Sequence, residues 1–133
     1  MTLSPWCLTL GLLVAGPAFT RPAAAQTTPS AQNVAERLER GRVLFEGKGL
    51  CFSCHGKNGE GLLGPSTRLA GRPLVHTKPT RADVAAMIKA GIDSAHSASG
   101  QVMPPRGGSR LSDPDIDALS QYVLDLAARK KPV

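Results

Sequence analysis

Three stretches of the 133-residue chain space their apolar residues as amphipathic helices require. From about Asn33 to Glu46, Val34, Leu38, Gly41 and Phe45 share one face, while Glu36, Arg37, Glu39, Arg40 and Arg42 take the wet sides. A glycine inside a helix costs about 1 kcal/mol relative to alanine, so Gly41 points to another element passing close by. The run Gly47-Lys48-Gly49 ends this helix. Near Thr80 to Ala90, Thr80 and Asp83 form a capping box, Val84, Met87 and Ile88 make the stripe, and Gly91 stops the helix. Near Asp113 to Ala128, Ser112 and Asp115 form a second capping box and Pro114 sits in the first turn. Ile116, Leu119, Tyr122, Val123 and Leu126 line one face there, and Arg129, Lys130 and Lys131 follow where the macrodipole favours cations. Between the helices lie turn formers: GKNGEGLLGPS, AGRP and MPPRGG. No window alternates long enough for a strand, so the predicted class is all-α with long loops.

The N-terminus changes how much of the chain belongs to that domain. Trp6 to Phe19 is apolar but too short to span a bilayer comfortably, and Ala23-Ala24-Ala25 follows as a small-residue cleavage site. Residues 1–25 are therefore predicted to be a secretory signal peptide, 26–32 a flexible lead-in and 33–133 the domain. The opening MTLSPW lacks Lys and Arg, which leaves an uncleaved membrane anchor as the competing reading. Cys7 falls in the signal, leaving two cysteines in the mature chain.

Composition then exposes a deficit. The mature part keeps three aromatics, Phe45, Phe52 and Tyr122, in a sequence with 14 glycines and 11 prolines. A small domain so poor in large apolar side chains needs a staple, a metal or a bound group. Sixteen basic residues face ten acidic ones. The cations are scattered among loops without interleaved aromatics, which argues against nucleic acid. They suit a solvated surface or docking of an acidic partner protein.

The candidate chemistry sits in GLCFSCHGKNGEG, residues 49–61. A thioredoxin-like pair would follow a strand in a βαβ setting, and Cys51 and Cys54 follow a helix. A structural zinc site needs about four protein ligands; Cys51, Cys54 and His55 are crowded together, with no second thiol pair. A bare disulfide leaves His55 and the thin core unexplained. C-x-x-C-H uses every residue: two thioethers to a haem, with the adjacent His55 ligating iron from one face. Export agrees, because c-type haem is attached outside the cytoplasm. The sixth ligand is sought among Met87, Met103, His76 and His96. Met87 lies on a helical stripe, where methionine usually packs, and the histidines lie in polar loops. Met103 is the choice, since Pro104 and Pro105 stiffen its segment and keep it from becoming helical. Thioether plus imidazole raises the potential relative to two imidazoles.

The arrangement resembles the class I cytochromes c, over roughly Val34 to Leu126. The residues carrying the likeness are Gly41 and Phe45 ahead of CFSCH, then Gly64-Pro65, Met103-Pro104 and Tyr122. VMPPRGGSRLSDPDIDALSQYV looks especially like bacterial periplasmic members. The resemblance implies a cytochrome c fold: three main helices with long loops around one covalent haem c. Cys51 and Cys54 would then be thioether tethers, and His55 and Met103 axial ligands. It also implies that the Pro65 loop offers a carbonyl to the other ring nitrogen of His55, and that Tyr122 packs across the first helix where Gly41 lets the two cross closely. The expected role is a periplasmic one-electron carrier, not an enzyme. Lys48, Lys57, Arg68 and Arg106 would steer acidic redox partners, and a membrane would enter only through an uncleaved signal or a membrane-bound partner. Two alternatives stand beside it: a tightly bound electron-accepting subunit of a dehydrogenase or oxidase complex, and a peroxidase or gas sensor with an open sixth position. A Met–iron charge-transfer band lost in Met103→Ala would favour the carrier.

Overall fold

The computed structural model describes residues 29–129; the expected signal peptide lies outside them. Four helices follow in order: α1 (Pro29–Glu46), α2 (Phe52–His55), α3 (Arg81–Ala90) and α4 (Asp113–Ala128). Single 3-10 turns at Pro65–Thr67 and Pro105–Gly108 punctuate the loops. Among the described residues there is no strand, only an isolated antiparallel bridge between Ile92 and Met103. No described helix is long and apolar enough to cross a membrane.

α4 matches its predicted bounds because its start is chemically marked. The Ser112 side chain accepts from Asp115 N–H and the Asp115 carboxylate accepts from Ser112 N–H, the two halves of a capping box. α3 shows only half of one: Thr80 Oγ1 accepts from Asp83 N–H, while the Asp83 carboxylate accepts from the Thr80 hydroxyl and not from the Thr80 N–H. α1 starts earlier than expected. Residues 29–32, assigned above to a flexible lead-in, are helical, since Pro29 is tolerated in a first turn and nothing after it breaks the helix. Its apolar face is also shorter than the pattern suggested. Gly41, Leu44 and Phe45 are buried, but Val34 is left exposed.

α1 and α4 cross with Gly41 at the contact. A β-carbon there would meet Ala118 O and lie 2.8 Å from Tyr122 Cβ. α4 also takes α3 on its flank, through Val84 and Ile88. Ile116, Leu119, Tyr122, Val123 and Leu126 supply the α4 side of one core with Leu44, Phe45 and Leu111. That core leaves a rim of apolar residues only partly covered. Cys51, Phe52, Leu69, Leu74, Met87 and Met103 all pack against it while staying half-exposed.

A haem-binding cleft between two walls

All of these except Phe52 line one cleft of about 310 Å³. Of the seven large apolar residues left exposed among the described residues, Leu50, Leu63, Val75 and Val102 also line it. Scattered exposed apolar residues are ordinary, but a contiguous apolar surface marks a binding site. A smaller apolar chamber behind the cleft is walled by Phe45, Ile88, Leu111, Leu119 and Val123.

One wall is the cysteine–histidine motif. After α1, Gly49 N–H and then Leu50 N–H close tight turns, and Leu50 takes φ +55, a strained value for a leucine. The strain swings the chain into α2, a single turn that sets Cys51 and Cys54 three apart on one side. Both are free thiols, half-buried, lining the cleft. Burial pushes the Cys51 thiol up to about 11, the reverse of the depressed value that marks a redox-active thiol. Among the described residues no group of three or more His, Cys, Asp or Glu could hold a metal ion by itself, which also disfavours zinc.

His55 completes this wall. Its Nδ1 lies 2.6 Å from Thr67 O. A carbonyl can only accept, so Nδ1 carries the proton and Nε2 keeps its lone pair for the cleft. Burial holds the imidazole below its ordinary pKa and so favours the neutral, ligating form, although the Thr67 bond pulls the other way. The ring is backed by Phe45, centroids 6.3 Å apart, and Phe45 meets Tyr122 edge-on at 5.3 Å. An aromatic column thus runs from the helix crossing to the histidine. The carbonyl comes from the Pro65 loop as expected, with the correction that Thr67 supplies it and not Pro65 itself. The 3-10 turn begun by Pro65 rotates the Pro65 carbonyl away, toward Arg72 and the Arg68 N–H.

The other wall is built differently. Met103 lines both cleft and chamber from extended backbone, where it exchanges two 2.8 Å hydrogen bonds with Ile92. Gly91 makes this approach possible: at φ +73 and ψ −173, a conformation nearly confined to glycine, its β-carbon would lie 2.5 Å from Met103 O. Beyond Pro104 and Pro105 the chain turns through left-handed Arg106, at φ +55, and Gly107. Of the other ligand candidates, Met87 is half-buried and lines both spaces. His76 is an exposed lining residue at the rim, and His96 is bound to Asp93.

Each wall is fastened to the first turn of α4. Asp115, with 9% of its side chain exposed, accepts from Arg40 at 2.8 Å and from Lys48 at 3.2 Å, just ahead of the motif. Asp113, 60% exposed, accepts from Arg106 and from Lys89 of α3, both at 2.9 Å. Of the cations expected to steer partners, Lys48 and Arg106 are thus engaged in ion pairs. Lys57 and Arg68 have no acidic partner among the described residues, nor do Arg72 and Lys78. The sequence missed Thr67 and the Ile92 bridge, since a backbone carbonyl and a two-bond pairing leave no compositional mark.

The site fits a haem: a largely apolar cleft lined by two thiols, an imidazole and a thioether. A helical fold with a CxxCH turn and this cleft defines a c-type cytochrome of the class I type. More specifically, the chain belongs to the family described as cytochrome C oxidase, cbb3-type, subunit III, whose model matches residues 36–123, from α1 through most of α4. No curated protein and no solved structure was found to match it. Membership makes it an electron-transfer protein that carries covalent haem c and works with redox protein partners.

Proposed function

We propose that the chain is an exported, periplasmic one-electron carrier, with its haem tethered by Cys51 and Cys54 and its iron ligated by His55 and Met103. What carries this is the convergence on one cleft of a histidine whose Nε2 is left free by the Thr67 bond and a methionine fixed by backbone pairing. Bound there, haem supplies one reversible electron on iron. The chain's residues hold it still: Thr67 and Phe45 fix the imidazole plane, and the Ile92 bridge fixes the Met103 backbone. Were His55 and Met103 both to hold the iron, no position on it would be open to a substrate. Arg68, Arg72 and Lys78 lie in the acid-free stretch between Glu60 and Asp83, with Lys57 just ahead of it. They suit brief docking of an acidic partner. Export rests on residues 1–25 of the sequence.

The test is the spectrum of the exported protein. A ferric sulfur–iron charge-transfer band should be present and should leave its native position in Met103→Ala. A high-spin iron in the unmodified protein would sink the carrier reading. The family description names an oxidase subunit, which supports the alternative of a tightly bound subunit; size exclusion of native extract distinguishes it by co-migration with a larger partner.

A further inference from the structure

Met103 has a neighbour of the same chemistry. Six residues line both the cleft and the chamber behind it: Cys51, His55, Leu69, Met87, Met103 and Gly107. Two of the six are thioethers. α3 turns Val84 and Ile88 fully into the core and leaves Met87 half-buried at the cleft.

The backbone locks the two methionines into one unit. Met87 O accepts from Gly91 N–H at 2.8 Å, and the next residue, Ile92, is bridged to Met103. Gly91 packs directly on the Met103 carbonyl. Lys89 of α3 and Arg106 of the methionine loop then meet on Asp113. Both methionines therefore belong to one braced wall of the space that His55 also lines. Other lining groups are poor substitutes. Arg68 has no lone pair to offer, and His76 stands at the rim without reaching the inner chamber.

We propose that Met87 is a reserve iron ligand: when the Met103 thioether leaves, the Met87 thioether takes the same axial position. This rests on the reading of Met103 as the resident ligand. One iron–sulfur bond breaks and another forms between neutral donors, so no proton or electron is needed. The unbranched, three-torsion side chain of methionine suits such a reach.

The test uses haem-loaded Met103→Ala, Met103→Leu, Met87→Leu and the Met103→Ala/Met87→Leu double variant. Met103→Leu keeps core volume should the alanine variant fold poorly. Both single Met103 variants should stay low-spin with a displaced sulfur–iron band, and the double variant should lose it. If Met87 occupies the position nine-tenths of the time, added imidazole should bind the double variant about tenfold more tightly than Met103→Ala. High-spin Met103 variants, or a nitrogen-type spectrum indifferent to Met87→Leu, would overturn the reserve role and leave Met103 as resident ligand. Loss of the native band in Met87→Leu alone would overturn the assignment of Met103 itself, and the reserve role with it.

Discussion

The two walls of the cleft hold their ligand residues by opposite means. On the motif wall the side chain itself is fixed: His55 has a hydrogen bond on one nitrogen and an aromatic ring behind it. On the methionine wall the backbone is fixed and the side chain is free, since thioethers offer little to bond. An imidazole must present one lone pair in one plane, so its orientation is worth securing directly. A thioether needs only to arrive, so placing its α-carbon suffices.

The sharpest way to break both walls together is at their shared support. Gly41→Val puts side-chain atoms into the α4 backbone, and overpacking of this kind costs about 3 kcal/mol. Urea unfolding should show that loss, with shifts at both ligands; a change below about 1 kcal/mol would mean the helices can part without consequence.

Next come two glycines, one per wall. Gly56 and Gly91 both have φ near +75 and strongly extended ψ, so alanine is strained at either, by about 1–3 kcal/mol. They differ in what the new methyl meets. At Gly56 it meets the movable end of Glu60; at Gly91 it meets the Met103–Pro105 backbone. Gly91→Ala should therefore cost more and raise the high-spin fraction, while Gly56→Ala should leave the ligand spectrum unchanged. Equal spectral effects would erase the distinction between the walls.

The aspartates sharpen it further. Arg40 beside Asp115, then Ser112 and Lys48, hold its carboxyl well below the ordinary carboxylate range. The unfolded chain takes up that proton near pH 4, about the ordinary value for Asp. The stabilisation is thus fully present above pH 4 and is lost as pH falls toward the lower folded value. Asp115→Asn should cost about 2 kcal/mol at pH 7, as a buried charged hydrogen-bond centre does, and the gap to the native protein should close on acidification. A gap constant down to pH 3 would refute this. Asp113, held down by Lys89 and then Arg106 but mostly exposed, should show a smaller and more salt-sensitive loss in Asp113→Asn.

The smallest effect is expected at Pro65→Ala. Because Thr67 supplies the carbonyl, removing the ring should cost only about 0.5 kcal/mol of stiffness and leave the His55 environment intact by NMR.

What the sequence disclosed, and what it hid, follows the same division. Helices α3 and α4 were legible because their caps are side-chain chemistry at fixed spacing, Thr80 with Asp83 and Ser112 with Asp115. The motif wall was legible for the same reason, being contiguous from Cys51 to His55. Gly41 was readable as a close crossing because a glycine there had no local reason to exist. The methionine wall was readable only as far as Met103 and its prolines. Its bridge to Ile92, the left-handed Arg106 and the fastening to Asp113 depend on residues that meet only after folding. Thr67 was hidden because any residue can lend a carbonyl, and the early start of α1 because Pro29 reads equally well as a loop.

The two aspartates in the first turn of α4 stand two residues apart, and each pegs one jaw of the cleft. A gap assembled loop by loop would accumulate the slack of every loop in between. Here both jaws are gauged from a common datum, a single helical turn closed by a capping box. The opening between histidine and methionine is therefore toleranced like a caliper, and insertions in the outer loops should change the cleft's rim long before they change its bite.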